Sequence, residues 1–287
     1  MTLIPKIIYL FWHSRNLPYF VRKCIENIKS KNPGYLVKIY YYEDVMKIQD
    51  KPEILKTYRK RGIADWLRLY LLNKYGGIWI DISCIFVSKG LNDIIDLNKN
   101  VLYGYNAPWG DIMENWFLAS PKNNPIVKEW LKEWEIALLN KEEYVKKNIQ
   151  YSTKALTPML PYLTQHLIFS KISKIEKLSK CYSILGKASD KGNPFYLHEK
   201  FNWNIDKFIN FLLNSNHIDN DISFIKLRGG DRNKFIEALD KCNFSKNSYL
   251  VKLLNLRCKN NNKSNYNINY NLKKKKSKSN YLPNYSL

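Results

Sequence analysis

Four side chains can meet to carry phosphate and sugar chemistry: Trp12, Asp65, Arg68 and Asp81. Asp81 closes the run Tyr75-Gly76-Gly77-Ile78-Trp79-Ile80-Asp81. A carboxylate at the end of an apolar strand is costly unless it meets a cation or hydrogen-bond donors. Ligands bind open α/β sheets beyond the carboxyl ends of the strands. Asp81 is therefore a candidate ligand for Mn²⁺ or Mg²⁺, hard ions that prefer oxygen. An ion bridging a diphosphate stabilises charge developing on a leaving group. Ser83 adds a hydroxyl, a weak second ligand. Asp65 can accept from sugar hydroxyls, Arg68 can hold a phosphate bidentately, and Trp12 can stack a base. Each has a plainer reading. Asp81 can cap a turn, Asp65 and Arg68 can form an i, i+3 surface pair worth about 0.2–0.5 kcal/mol, and Trp12 can belong to the core.

The surrounding pattern supplies the elements that would position them. Lys6–Trp12 reads as a first strand, Asn16 as a helix cap with Pro18 in the first turn of a helix reaching Lys31, and Leu36–Tyr42 as a second strand. Strand–helix–strand implies a parallel sheet. Helical sequence runs from Pro52 to Tyr75, with Ala64, Leu67, Leu71, Leu72 and Tyr75 on one stripe. Gly76-Gly77 stops it, and a strand follows over 78–86. Val101–Tyr105 and Trp116–Ala119 read as strands and Asn124–Asn140 as a helix. Residues 141–217 read as mainly helical, Ile222–Leu227 as a late strand, and Arg228-Gly229-Gly230-Asp231 as a loop. That loop, with Lys226, can close over a diphosphate or be a solvated turn. His198 and Glu199 are a third candidate metal-ligand region. His13 and Asn115 can line a pocket, whereas His166, among Leu163, Leu167 and Phe169, reads as a partly buried histidine. Tyr75 and Trp79 read as core or pocket wall.

Composition bounds the partners. The 287 residues carry a formal charge of +22. Ten of those charges fall in 246–287, a stretch without acids, so the body is basic as well. Such a charge suits phosphate-bearing partners or membrane surfaces. No apolar run spans a bilayer, and the N-terminus reads as a strand and not a signal peptide. A cytoplasmic enzyme, free or peripheral at a membrane surface, fits both facts. The five widely spaced cysteines read as free buried thiols. Residues 1–258 read as one catalytic domain and 259–287, rich in Asn, Lys and Ser, as a disordered basic tail.

I-P-K-I-I-Y-L-F-W (4–12), A-D-W-L-R (64–68) and Y-G-G-I-W-I-D-I-S (75–83) resemble the capsular-polysaccharide-synthesis and DXD sugar-binding-region glycosyltransferases. Initiating α-1,6-mannosyltransferases and, more remotely, glucosylating toxin domains belong to that group. The resemblance is dense over 4–86 and looser over 115–128 and 161–169. It implies a GT-A-like, Rossmann-type, mostly parallel sheet flanked by helices, with added helical segments. It also implies hexose transfer from a nucleotide-diphosphate sugar to a carbohydrate or lipid-linked acceptor, with metal and with retention. By position, Trp12 would stack the base, Asp65 and Arg68 would hold the sugar, Gly76 and Gly77 would permit close approach, Trp79 would flank the nucleotide, and Asp81 and Ser83 would hold the metal. Ser83 departs from the second aspartate of the motif, which weakens metal binding. A non-catalytic nucleotide-sugar binder and a basic nucleic-acid-binding protein are the competing readings. No recognised nucleic-acid motif supports the latter.

Overall fold

The computed structural model describes residues 3–258; the expected tail lies outside them. The chain runs β1 (Ile7–Trp12), α1 (Tyr19–Lys31), β2 (Leu36–Tyr41), α2 (Tyr42–Met46), α3 (Lys60–Tyr75), β3 (Gly77–Ile80), β4 (Cys84–Phe86), β5 (Leu102–Asn106), β6 (Phe117–Ser120), α4 (Pro125–Leu139) and α5 (Lys141–Asn148). It continues through α6 (Thr164–Ile172), β7 (Tyr182–Lys187), α7 (Tyr196–Lys200), α8 (Ile205–Asn214), β8 (Phe224–Lys226), α9 (Gly229–Asp240) and α10 (Tyr249–Leu253).

Six strands form one sheet in the order β2-β1-β3-β6-β5-β7. β1 is parallel to β2 and β3, and β5 to β7, while β6 runs against both its neighbours. The result is the expected mixed α/β fold with a mostly parallel sheet. β2 and β3 lie on opposite sides of β1, so the chain reverses its travel across the sheet there. A crevice opens at the carboxyl ends of strands at such a switch point. Trp12 ends β1 and Asp81 follows β3 at that edge.

Side chains alternate across the pleat. Tyr9, Trp79, Leu102 and Leu118 face a core completed by α3, α4 and α6, including Trp66, Trp130, Trp134 and Phe169. Ile8, Leu10, Ile78, Ile80 and Phe117 face the other side, under α1. A third cluster joins Ile85 and Ile225 to α8, α9 and α10. α4 starts where Asn124 accepts a hydrogen bond from the Ile126 amide and Pro125 takes the first turn. Trp66 is fully buried, stacks on Tyr70 at 4.5 Å and donates to Glu135 at 2.9 Å. Among the described residues, no helix is long and apolar enough to cross a membrane.

Several local expectations change. The 78–86 strand divides at Asp81-Ile82-Ser83, where the Cys84 amide donates to the Asp81 carbonyl at 3.0 Å. β4 then leaves the main sheet and pairs antiparallel with β8, Cys84 opposite Lys226. Residues 182–187 form β7 alongside β5 and not helix. The Arg228–Asp231 loop is the start of α9. α1 starts behind Pro18 without a side-chain cap from Asn16. Tyr75 is 46% exposed and belongs to no core. Cys242 and Cys258, whose Cα atoms lie 5.3 Å apart, pair as a disulfide, so the cysteines are not all free; Cys24 and Cys84 are buried thiols as expected, and Cys181 is only half-buried.

Gly76 and Gly77 also differ from expectation. They sit at the amino end of β3, away from the crevice. Gly76 has φ +68° and a Cβ there would lie 2.6 Å from the Lys122 amide nitrogen; Gly77 has φ +112° and a Cβ would lie 2.9 Å from the Ile7 carbonyl oxygen. Their small size serves chain crossing. Gly76→Ala and Gly77→Ala should each cost about 1–3 kcal/mol of unfolding free energy, from strained backbone and crowding, read by chemical denaturation.

Candidate active site

The carboxyl edge of β1 and β3 opens into a cavity of about 1040 Å³. α3 brings Lys60, Arg61, Asp65 and Arg68 to its wall, because positions i, i+1, i+5 and i+8 share one helical face. Arg68 is 4% exposed. Its Nη1 donates to the Asn115 carbonyl at 2.9 Å, and its Nη2 lies 3.3 Å from Asp65 Oδ1 and 3.6 Å from Asp81 Oδ1. The guanidinium also covers the Trp79 ring at 5.1 Å. Asn115 ties the network to α6 through Gln165, 2.6 Å away, and Gln165 Nε2 donates to the Asp65 carbonyl at 2.7 Å.

Asp81 is held from its other side. Lys226 Nζ donates to Oδ2 at 2.7 Å, and Trp79 Nε1 donates to Oδ1 at 3.1 Å. Burial works against the charge on Asp81, but Lys226 and Arg68 outweigh it and hold the carboxyl below the usual range. Asp65 goes the other way. Burial lifts its carboxyl above the usual range despite Arg68. Two carboxylates of one network are thus set apart by their surroundings.

The remaining wall is cationic and aromatic. Arg232 covers the Trp12 ring at 5.2 Å, and His13 packs against the same ring at 4.9 Å. Burial, then Lys60 and Arg232, push the His13 imidazole below its ordinary value. Arg228 covers Trp203 at 5.0 Å. Its Nε and Nη2 donate to Asp231 at 3.0 and 3.1 Å, and Asp231 also accepts from the Arg228 amide at 2.7 Å, capping α9. Behind it, His198 Nε2 lies 2.8 Å from Asp231. Burial opposes ionisation of Asp231, yet His198 and Arg228 hold its carboxyl well down. An ionised Asp231 only accepts, so His198 carries its proton on Nε2. At the far end, Glu114 meets His166 at 3.2 Å beside Trp109. Six cations (Lys60, Arg61, Arg68, Lys226, Arg228, Arg232) face four carboxylates (Asp65, Asp81, Glu114, Glu199) on this wall. The excess of positive charge attracts an anion.

Of the residues expected from sequence, Trp12, Asp65, Arg68, Trp79, Asp81 and Ser83 all reach this cavity; Gly76 and Gly77 do not. A family model described as capsular polysaccharide synthesis protein matches residues 2–227. The chain belongs to the capsular polysaccharide synthesis protein family. It is 29% identical over 154 residues to the O-glycosyltransferase braB of Annulohypoxylon truncatum, covering 44% of this chain and 36% of that protein. It thus spans about a third of that relative's length. Among solved structures it is similar to "PaToxG Glycosyltransferase", with TM-score 0.40, 22% identity, and 61% of this chain and 76% of the other covered. It is also similar to a glycosyltransferase involved in the glycosylation of the major capsid of PBCV-1, with TM-score 0.39, 16% identity, and 81% and 100% covered.

The donor set in this family member does not fit the divalent ion expected on Asp81 and Ser83. Ser83 Oγ donates to the Leu227 carbonyl at 2.8 Å and faces Lys226 Nζ at 3.2 Å. Both Asp81 oxygens meet donors of the chain. His198, a candidate third ligand, faces Asp231, and Glu199 accepts from Trp203 at 2.9 Å. Among the described residues, no three His, Cys, Asp or Glu side chains converge as a metal site.

Sequence reasoning missed Lys60, Arg61, Glu114, Gln165 and Arg232. The first two were legible as the cationic continuation of the Asp65/Arg68 face of the helix. The others depend on α6, α9 and the β5–β6 connection reaching the same edge, which no local pattern announces.

His198 makes the fold sensitive to acid. Burial lowers its imidazole from the ordinary 6.5. As pH falls through 6.5, the unfolded chain binds a proton that the folded chain refuses, so stability falls. Lowering pH from about 7.5 to about 5.5 should lower the melting temperature, and His198→Gln, which can still donate to Asp231, should remove part of that slope. Thermal unfolding monitored at several pH values checks this.

Proposed function

We propose that this chain is a glycosyltransferase that moves a hexose from a nucleoside diphosphate sugar to a carbohydrate, lipid-linked or surface acceptor, with retention of configuration. The observation that carries the reading is the cation-lined cavity at the switch point of the sheet in a member of a capsular polysaccharide synthesis family. The diphosphate lies against the cations of α9, the base beside Trp12, and the sugar against Asp65 and Arg68. Such an enzyme works in the cytoplasm or against a membrane surface, to which its +22 charge would draw it.

The residues divide the chemistry as follows. The bond between the anomeric carbon and the diphosphate oxygen breaks, and positive side chains already in place stabilise the charge left on the phosphate. The described contacts of Asp65 fall on Oδ1, which leaves Oδ2 to accept from sugar hydroxyls. Substrate hydroxyls then relieve part of the cost of burying this carboxylate. Asp81 is paired with cations on both sides and serves as an anchor, not a base. In the retaining reaction the acceptor hydroxyl attacks from the face that the diphosphate leaves, and its proton passes to a departing phosphate oxygen. The buried Glu114–His166 pair favours a second reading, inversion with Glu114 as base; the anomeric configuration of the product, read by NMR, separates the two.

The test is a panel of UDP- and GDP-sugars screened by thermal shift and then for sugar release and transfer. Asp65→Asn keeps the shape and removes the charge. It should lower kcat/KM for the productive donor about 10–100-fold, the loss of one or two charge-assisted hydrogen bonds, while the melting temperature holds or rises. An unchanged kcat/KM sinks the sugar-holding role.

A further inference from the structure

We infer that Lys226 delivers to the donor diphosphate the positive charge that a divalent ion would otherwise bring, so that donor binding needs no metal. The inference rests on the proposed reading that the donor is a nucleoside diphosphate sugar.

The β4–β8 ladder puts Lys226 directly opposite Cys84, one residue beyond Ser83. That register drops Nζ between Asp81 Oδ2, 2.7 Å away, and Ser83 Oγ, 3.2 Å away. These are the two oxygens of the Asp81-Ile82-Ser83 motif that a cation would use. Ser83 is fixed in this role: its own proton goes to the Leu227 carbonyl at 2.8 Å, which leaves a lone pair for the ammonium. The Lys226 side chain is 9% exposed, so it is packed in place and not swinging in solvent. An ammonium has three N–H donors and no lone pair. Two donors are engaged, and the third remains for a ligand in the cavity that Lys226 lines. A group with no lone pair cannot ligate a metal, and its charge repels one.

The same segment supplies further charge. Two residues after Lys226, Arg228 is locked by Asp231, and Arg232 follows one helical turn later against Trp12. Between them the first turn of α9 reaches the cavity at Gly229, where a side chain would meet nothing within 4 Å. Lys226, Arg228, Gly229 and Arg232 thus line one side of the cavity as a cationic strip, with Asp81 and Ser83 as its anchor.

The experiment is a calorimetric titration of the full chain with UDP and with GDP, once in chelator and once in excess Mn²⁺, and with Mn²⁺ alone. The affinity for the bound nucleotide should change less than about twofold between the two conditions, and Mn²⁺ alone should give no binding. Lys226→Met, which keeps the aliphatic stem, should weaken nucleotide binding in chelator about 10–100-fold, the worth of one charge-assisted contact. Binding that requires Mn²⁺, or saturable binding of Mn²⁺ alone, overturns the inference and leaves the donor reading standing. A Lys226→Met chain that binds as tightly as the parent in chelator also overturns it. If neither nucleotide binds under either condition, the donor reading itself falls, and the role of Lys226 with it.

Discussion

Gathering a buried Asp65 and a partly buried Asp81 around one buried guanidinium is the constraint on which the rest of the site depends. Ionised groups lose several kcal/mol each on burial unless their partners are well placed. Arg68 links both carboxylates and the Asn115 carbonyl, and Lys226 closes the far side of Asp81. These groups come from α3, the turn after β3, the segment before β6 and strand β8. Loss of Arg68 or Lys226 would leave Asp81 short of a cation, so α3, the turn after β3 and strand β8 are tied together at this carboxylate as well as by the apolar clusters on either side of the sheet.

A second chain of contacts runs outward from the interior. Asp231 caps α9 through the Arg228 amide, fixes the Arg228 side chain, and is itself fixed by His198. One carboxylate therefore starts a helix and aims a guanidinium. His198 packs on Phe208 at 4.0 Å, so the aim of Arg228 is set by a ring packed on its neighbours rather than by a loop. The price of this arrangement is sensitivity to protonation of a buried imidazole.

Much of the fold was legible. Strands β1, β2, β5 and β6 follow from short runs rich in apolar and aromatic residues, helix α4 from its period-3.6 stripe, and the start of α1 from Pro18. The crevice location followed too, since a parallel start dictates where β1 and β3 end. Each error has its own local cause. β7 is a half-exposed edge strand with little apolar patterning, β4 changes sheets within a run that reads as continuous, and α9 opens with two glycines that read locally as loop. The role of Gly76 and Gly77 was misplaced because flanking an important strand is not the same as lying at its active end.

By itself the sequence determined the identities and local spacing of the reactive groups: Asp65 and Arg68 on one helical face, Asp81 just beyond a buried strand, Trp12 ending the first strand. These depend on repeats of a few residues, which short-range geometry sets. Only the tertiary structure decided what each charge faces. Lys226 lies 145 residues from Asp81 and Gln165 lies 100 residues from Asp65, and such pairings arise from strand register and helix packing across the whole domain. A lone aspartate that reads as a ligand awaiting a metal is, once the chain is folded, a carboxylate already answered by a lysine.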